Sequence, residues 1–274
     1  MTEPRRRALG QHFLADPGVA TRIVEAVGAT ARDLVCEIGA GPGALTGLLA
    51  ERAGRLVALE LDPRLHAALV AKAAHWPNVD LRLADARTFD YAALRDARPA
   101  QDGRVLVVGN LPYSASKPIL HRLWEARAAL DTATVMVQRE VAERLVAPPG
   151  GKAYGGLSVL WQVWADLALL FTVPPGAFRP PPAVESAVVR IAFRAAPRVP
   201  LDDPGAFVQL VKAAFAHRRK TLANALRAGF PALGAAAVEQ RLAAAGIDGR
   251  RRAETLHLEE FGRLAPFFVV PEAA

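Results

Sequence analysis

Residues 34–43 read Leu34-Val35-Cys36-Glu37-Ile38-Gly39-Ala40-Gly41-Pro42-Gly43, an apolar run that opens into a glycine-rich loop. The apolar run is typical of a buried strand, and the pattern after Gly43 predicts a helix. Glycines permit the tight turn and let a ligand approach the backbone at the start of the helix. The stretch therefore predicts a strand, a nucleoside-binding loop and a helix, which is one unit of a doubly wound sheet.

Strand-like and helical patterns alternate through most of the remaining sequence. Strands are predicted near 34–39, 55–61, 79–84, 104–109, 132–138, 167–173 and 186–193. Helices are predicted near 17–28, 43–53, 63–74, 116–129, 139–147 and 156–165. This alternation predicts an α/β fold, a seven-stranded, mostly parallel sheet with helices on both faces and an antiparallel hairpin at its end.

A proline-rich stretch, Pro197 to Pro204, indicates a domain boundary. Beyond it the pattern is helical only, with helices predicted near 204–217, 219–228, 235–245 and 259–268. We therefore expect two domains, a cofactor-binding domain at 1–198 and a small all-α domain at 199–274.

The composition favours a globular protein without a membrane segment, and no metal site is expected. The chain has 274 residues, 52% of them hydrophobic, and no apolar stretch long enough to span a membrane. A formal charge of +7 favours a polyanionic partner such as RNA or DNA, although the Arg- and Ala-rich composition also fits a bias of the genome. The single cysteine, Cys36, is expected to be a buried thiol. The charged start, Met1 to Arg7, lacks the apolar core of a secretory signal, so a cytoplasmic protein is expected.

Acidic residues at the ends of predicted strands favour S-adenosylmethionine as the cofactor. Glu37 precedes the first glycine, where a carboxylate can offset the positive charge of the sulfonium or amino group. Glu60 ends the second strand and can accept hydrogen bonds from ribose hydroxyls. Asp85 ends the third strand and can accept a hydrogen bond from an adenine amino group. Two alternatives stay open: the motif Gly39-x-Gly41-x-x-Ala44 fits a loose dinucleotide fingerprint, and the carboxylates of Glu37 and Asp85 can instead cap helices or pair with arginines.

Asn110-Leu111-Pro112-Tyr113 follows another strand-like run and points to methylation of a planar amino nitrogen. Such a nitrogen is a poor nucleophile because its lone pair is delocalised, so fixed oxygens must accept its hydrogens while it faces the methyl group. Asn110 offers a side-chain carbonyl, and Leu111 or Pro112 offers a backbone carbonyl in a turn that the proline stiffens. Tyr113 can stack on an extruded base, and orientation should matter more than strong base catalysis. The alternative is an ordinary turn with Tyr113 in the core.

A proline-rich loop, Phe178-Arg179-Pro180-Pro181-Pro182, precedes the last predicted strand. Its rigidity would let Phe178 act as a second stacking surface for the substrate base. Packing of Phe178 at a corner of the sheet explains the residue equally well.

Taken in order, these elements resemble the KsgA/RsmA family of small-subunit ribosomal RNA adenine dimethyltransferases. The resemblance runs from Gly10 to about Gly262 and is specific because it rests on an ordered set. Its elements are Gly10-Gln11-His12-Phe13-Leu14, Glu37 to Thr46, Asn110 to Tyr113, Tyr154-Gly155-Gly156-Leu157-Ser158-Val159, Phe178 to Pro182 and Phe215 to Leu226.

The resemblance implies a Rossmann-like class I methyltransferase that converts S-adenosylmethionine to S-adenosylhomocysteine. It implies dimethylation of N6 on two adjacent adenosines in the 3′-terminal hairpin of 16S rRNA, within the assembling 30S subunit, by a protein that we expect to be monomeric. In the family, the segment that matches His12 to Leu14 closes over the cofactor, and this chain has His12 where many members have Asn. The expected cofactor contacts are Gln11, His12, Leu14, Glu37, Gly39, Gly41, Glu60, Asp85 and Asn110.

Two basic clusters are expected to contact RNA phosphates without reading sequence. Their residues are Arg5, Arg6, Arg7, Arg218, Arg219 and Lys220. For the second cluster, a solvated helix start or pairing with glutamates is the alternative. A third basic run, Arg250 to Arg252, is expected to be a solvated loop.

Three other functions compete with this interpretation. An Erm-type 23S rRNA adenine dimethyltransferase would share the cofactor loop and the Asn-x-Pro-Tyr turn, but the stretch from Phe215 to Leu226 favours the small-subunit enzyme. A mainly RNA-binding ribosome-assembly factor would not need Glu60, Asn110 and Tyr113 intact. An NAD-dependent enzyme would need a hydride-transfer site, for which the sequence offers no obvious residues.

Overall fold

A computed structural model describes residues 12–217 and 219–269 of the chain. Within them the strands are β1 Phe13–Leu14, β2 Leu34–Ile38, β3 Arg55–Glu60, β4 Val79–Leu83, β5 Val105–Asn110, β6 Thr132–Gln138, β7 Ala165–Val173, β8 Phe178–Arg179 and β9 Ser186–Phe193. The α-helices are α1 Pro17–Val27, α2 Thr46–Ala50, α3 Pro63–Ala73, α4 Ser116–Glu125, α5 Arg139–Val146, α6 Gly156–Trp164, α7 Pro204–Phe215, α8 Leu222–Gly229, α9 Gly234–Ala244 and α10 Leu258–Leu264.

The seven predicted strands and the α/β class are confirmed, and the two-residue strands β1 and β8 are additions. Helix α2 begins at Thr46 rather than near Gly43, because Gly41 and Gly43 adopt φ values of +57° and +91°. These values lie in the left-handed region, which is incompatible with a right-handed helix, so the helix cannot include these two glycines. The glycine-rich loop is therefore a few residues longer than the sequence pattern predicts.

Seven strands of the described chain form one sheet in the order β4-β3-β2-β5-β6-β9-β7. The pairs β4–β3, β3–β2, β2–β5 and β5–β6 are all parallel. Strand β9 lies between β6 and β7 and runs antiparallel to β6, with Ser186 opposite Gln138. Because β9 runs in this direction, its first residue, Ser186, lies beside the carboxyl ends of the parallel strands.

The first compact unit runs to Ala142 and resumes at Asp166–Phe193. All five residues of β2 are buried, as expected for a parallel strand covered by helices on both faces. Helix α1 starts at a local signal: Asp16 accepts hydrogen bonds from the amides of Gly18 and Val19. Its apolar residues, spaced three and four apart, are buried in the core of this unit.

The second compact unit consists of Glu143–Ala165 and the described residues from Arg194 to Val269. Its core joins apolar residues of α6, such as Val159 and Val163, to those of helices α7 to α10. The hydroxyl of Tyr154, just before α6, donates to the carbonyl of Leu256 at 3.0 Å. The helical C-terminal region is confirmed, but the division does not coincide with the predicted boundary at 198, because α6 shares its core with the C-terminal helices.

Among the described residues, no helix is both long enough and apolar enough to cross a membrane.

Candidate active site

A cavity of about 330 Å³ opens where strands β4, β3, β2 and β5 end. Crevices at the carboxyl ends of parallel strands are the usual ligand sites of open α/β sheets, and this volume suits a small molecule. The predicted site residues that line it are His12, Gly39, Gly41, Glu60, Asp85, Asn110, Leu111, Pro112 and Tyr113. The structure thus brings together residues that lie up to about a hundred positions apart in the sequence.

The glycine-rich loop after β2 is held against β3 by backbone hydrogen bonds. The amides of Gly39 and Ala40 both donate to the carbonyl of Leu59, at 2.9 and 3.0 Å. Gly39 and Gly41 have φ values of +70° and +57°, which disfavour any side chain there. A Cβ atom on Gly41 would also come within 3.2 Å of the ring of Phe13, so a larger residue would crowd the cavity wall.

Glu60, at the end of β3, is the residue that fixes this loop. It is only 4% exposed, and its Oε2 accepts from the amide of Gly41 at 2.7 Å while its Oε1 accepts from the amide of Asp62 at 2.8 Å. Each carboxylate oxygen can accept more than one hydrogen bond. Glu60 can therefore hold the loop and still accept a hydrogen bond from a ligand hydroxyl.

Asp85, after β4, lines the cavity while it is paired with Arg87. The guanidinium donates to both carboxylate oxygens, with Nη2 2.6 Å from Oδ2, and the Arg87 amide donates to Oδ1 at 2.9 Å. The side-chain hydrogen bond from Arg87 is the main reason that the pKa of Asp85 lies below its usual range. Pairing with an arginine, which was the alternative to ligand binding, is therefore present, and it keeps an ionised acceptor at the cavity wall.

Glu37 lies just before the glycine-rich loop but is not among the residues that line the cavity. Its carboxyl group is buried and accepts a hydrogen bond from the hydroxyl of Thr46 at 2.7 Å. Burial raises the pKa of Glu37 to about 7; the Thr46 hydrogen bond lowers it and the charge of Glu60 adds to the rise. The predicted contact between Glu37 and a cationic ligand group stays a prediction.

Asn110, the last residue of β5, is oriented by the segment that contains β1. Its Nδ2 donates to the backbone carbonyl of His12 at 2.8 Å. Because this bond occupies a side-chain amide hydrogen, the orientation of the amide is set and Oδ1 is the acceptor that Asn110 offers to a ligand. The next amide, that of Leu111, donates to the carbonyl of Met136 on β6 at 3.0 Å. The carbonyl of Pro112 accepts from the amide of Ala115 at 2.9 Å, which closes a turn before α4.

Tyr113 lines the cavity beside His12 rather than joining the core. The ring centroids of Tyr113 and His12 are 5.5 Å apart, and Nδ1 of His12 lies 2.9 Å from the carbonyl of Pro180. The hydroxyl of Tyr113 is 2.6 Å from Oγ of Ser186 on β9. Partial burial raises the pKa of Tyr113, so the phenol stays protonated at neutral pH.

Phe178 and Leu14 are not brought to the cavity. Phe178 has no exposed surface; it lies opposite Leu14 in the antiparallel pair β8–β1, and both side chains belong to the core of the first unit. A ring with no exposed surface offers no face to a base. The structure therefore corrects the proposed stacking role of Phe178 in favour of packing.

Four of the expected RNA contacts lie outside the described residues, namely Arg5, Arg6, Arg7 and Arg218. The expected cofactor contact Gln11 also lies outside them. Arg219 and Lys220 are exposed in the turn before α8. In the run from Arg250 to Arg252, the expectation of a solvated loop is wrong for Arg251. Its guanidinium donates to Glu260 and to the carbonyl of Thr255, and its side chain is only 34% exposed.

Several lining residues were not predicted from the sequence, among them Leu61, Arg87 and Ile119, whereas Phe13 lies in the segment His12 to Leu14 that was expected to close over the cofactor. Leu61 is apolar and 46% exposed. Its place directly after Glu60 was the available signal, because a ligand that contacts Glu60 also needs an apolar surface for its base. Arg87 and Ile119 carried no comparable signal.

The strand order and the position of the cavity define a Rossmann-like methyltransferase fold. The chain belongs to the ribosomal RNA adenine dimethylase family, whose model matches residues 3–268. The predicted resemblance to the small-subunit branch of these enzymes is confirmed by relatives with 40% identity and more.

Two curated relatives are each described as ribosomal RNA small subunit methyltransferase A. The protein from Shouchella clausii is 42% identical over 95% of this chain and 88% of its own length. The protein from Magnetococcus marinus is 44% identical over 96% of this chain and 91% of its own length.

Two solved structures show how far the fold extends along the chain. The 23S rRNA methyltransferase ErmE aligns with a TM-score of 0.71 and 27% identity, over 93% of this chain and 99% of that chain. A dimethyladenosine transferase from Plasmodium falciparum aligns with a TM-score of 0.74 and 23% identity, over 92% and 96%. At 23% identity, the second likeness shows the fold alone.

Proposed function

We propose that this chain dimethylates N6 of two adjacent adenosines in the 3′-terminal hairpin of 16S rRNA, with S-adenosylmethionine as the methyl donor. The substrate is the assembling 30S subunit in the cytoplasm, and the enzyme acts as a monomer. The proposal is supported by the family to which the chain belongs and by the names of relatives that align over nearly its full length.

The cavity fits a nucleoside cofactor by the chemistry of its donors and acceptors. Glu60 and Asp85 present carboxylate oxygens to hydroxyl and amino hydrogens, and the apolar side chains of Leu61 and Ile38 line the space near them. The glycine loop exposes backbone where a side chain would intrude. When bound, S-adenosylmethionine supplies an electrophilic methyl group. The residues of this chain bind and orient the two reactants.

The single observation that carries the proposal is the orientation of Asn110. With its Nδ2 bonded to the carbonyl of His12, its Oδ1 is the oxygen that accepts a hydrogen from the target N6. We assign the second hydrogen to the carbonyl of Leu111 or to that of Pro112, whose oxygen accepts from Ala115 and keeps a second lone pair. Two acceptors in fixed positions turn the nitrogen lone pair toward the donor, which is catalysis by orientation.

Tyr113 holds the plane of the target adenine. Base–aromatic stacking contributes about 1–3 kcal/mol and tolerates any base, so it binds an extruded adenosine without selecting it. Methyl transfer would break the bond between the methyl group and sulfur as the C–N bond forms, which would leave a neutral thioether and a cationic amino nitrogen with an acidic proton. The proton can then leave to solvent, and no strongly basic side chain is needed at Asn110 or Tyr113.

Selection of the adenosines is assigned to contacts outside the cavity. Arg219 and Lys220 are exposed and can neutralise phosphates, and we keep Arg5, Arg6, Arg7 and Arg218 in the same proposed role. Such contacts position the RNA without reading its bases.

The test is to incubate the full chain and radiolabelled S-adenosylmethionine with small subunits that lack these methyl groups, and in parallel with unmodified 23S rRNA. We expect label in 16S rRNA alone, at a limit of four methyl groups per subunit, with both adenosines identified as dimethylated by mass spectrometry. Label confined to 23S rRNA would support the function that the name of ErmE describes. Binding to subunits without any label would identify an assembly factor instead of an enzyme. Asn110→Ala serves as the inactive control.

A further inference from the structure

Ser186, the first residue of β9, contacts the active-site residue Tyr113. Its side chain is fully buried, and its Oγ lies 2.6 Å from the hydroxyl of Tyr113, which is 73 residues earlier in the chain. Strand β6 lies between β5, which leads into Tyr113, and β9. The loop after β5 and the Tyr113 side chain together therefore bridge the end of β6, a gap of roughly 10 Å or two strand spacings.

The backbone around Ser186 is held firmly. Ser186 lies opposite Gln138 in the antiparallel ladder, and the amide of Arg139 donates to the carbonyl of Glu185 at 3.0 Å. Oγ of Ser186 is thus a fixed point at the edge of the sheet. A buried hydroxyl without a hydrogen bond costs free energy, which favours keeping the bond to Tyr113 intact.

Tyr113 is restrained at its backbone and at its hydroxyl by groups of the first unit. The backbone carbonyl of Tyr113 accepts a hydrogen bond from the hydroxyl of Ser116 at 3.1 Å, which ties the residue to the start of α4. The bond to Ser186 restrains the far end of the ring, and His12 lies beside it at a tilt of 37°. Without the bond to Ser186, the ring would keep its place but could change its tilt.

We propose that Ser186 is a positioning residue, which sets the tilt of the Tyr113 ring and through it the plane of the target adenine. This inference rests on the proposed function, because it requires that a base stacks on Tyr113. A wrong tilt changes the angle at which N6 meets the methyl group, so the loss appears in kcat. The binding of cofactor and of RNA, which depends on other contacts, stays unchanged.

The test is a double-mutant cycle with Ser186→Ala and Tyr113→Phe. Each variant removes one partner of the hydrogen bond and keeps the ring. We expect each to lower kcat on small subunits about tenfold, as a small misorientation does, with KM for subunits and the Kd of S-adenosylhomocysteine within about twofold of wild type. The double variant should be no slower than either single variant, because the same bond is lost.

Ser158→Ala is the matched control. Ser158 is also fully buried, and its hydroxyl donates to the carbonyl of Arg144 and accepts from the amide of Gly155, but it lies in the second unit. It should lower the urea midpoint as Ser186→Ala does and leave kcat unchanged. Losses in kcat that multiply in the double variant, or a normal kcat in Ser186→Ala, would overturn the inference. If wild type labels no small-subunit RNA, the proposed function fails instead, and the two failures are thereby distinguished.

Discussion

Replacing Glu60 with glutamine changes one oxygen of a buried carboxylate to an amide nitrogen and should weaken cofactor binding strongly. The carboxylate, 4% exposed, accepts from two backbone amides at 2.7 and 2.8 Å. An amide side chain has a single acceptor oxygen, so its NH₂ group must face either the amide of Gly41 or that of Asp62. One donor is therefore left buried and opposed by another donor.

The size of the effect follows from these two bonds. A hydrogen bond to a charged group contributes about 1.5–3 kcal/mol, and a neutral one contributes about 1 kcal/mol. Losing one bond and weakening the other costs about 3 kcal/mol. The substitution also removes the repulsion between Glu60 and Glu37, which offsets part of this cost. If the whole cost falls on the cofactor loop, the affinity for S-adenosylhomocysteine decreases by up to about a hundredfold.

Titration calorimetry with S-adenosylhomocysteine measures this loss directly, and urea unfolding of the same samples shows how much of it appears as lower stability. Glu51→Gln is the matched control, because Glu51 is an exposed residue at the end of α2 and should change neither quantity. An affinity and a urea midpoint both equal to wild type would show that Glu60 does not hold the loop.

The remaining predictions concern Asn110, Glu37 and the exposed basic residues. Asn110→Ala should reduce methyl transfer at least about a hundredfold while subunit binding stays normal, because orientation of N6 is lost; a single-turnover assay with near-normal rate would remove Asn110 from its role. Glu37→Gln should change the pH dependence of unfolding. Burial raises the pKa of Glu37 from 4.5 to about 7. As the pH rises, the Glu37 carboxyl group therefore ionises first in the unfolded state, and wild type loses up to about 3 kcal/mol of stability between these two pH values. Urea midpoints at pH 5 and pH 7.5 should show a smaller loss in the variant, and equal losses would contradict the burial argument. Replacing Arg219 and Lys220 by alanine should flatten the salt dependence of subunit binding by about one to two units of log–log slope. The control is Arg250→Ala, which should leave the slope unchanged because the guanidinium of Arg250 pairs with Asp248.

The strands and the cofactor loop were predictable because their signals are local. A buried parallel strand reads as an apolar run, and glycines after it mark a turn with positive φ. The rule that ligands bind at the carboxyl ends of such strands then places Gly39, Glu60, Asp85 and Asn110 at one edge without any coordinates. The observed cavity is lined by all four.

Other features could not be predicted, because they depend on which surfaces meet in three dimensions. The proline-rich loop after Phe178 reads equally as a ligand surface and as packing, and only the pairing of β8 with β1 shows that this ring is buried. The sequence pattern of α6 does not show which domain the helix packs in, and only its shared core assigns it to the C-terminal helices. Burial of Glu37, which shifts its pKa, likewise depends on neighbours far along the chain.

By itself, the sequence determined the α/β class, the cofactor loop and the group of residues at the strand ends, because hydrophobic period and glycine conformation act over a few residues. Tertiary structure decided how those residues are held: Glu60 by the amides of the loop, Asn110 by the carbonyl of His12, and Tyr113 by Ser186. The antiparallel insertion of β9 next to β6 brings Ser186 to the active edge, and a local pattern cannot specify such pairing. Register and strand order arise from the packing of the whole sheet, so the partners that orient the site became visible only in the folded chain.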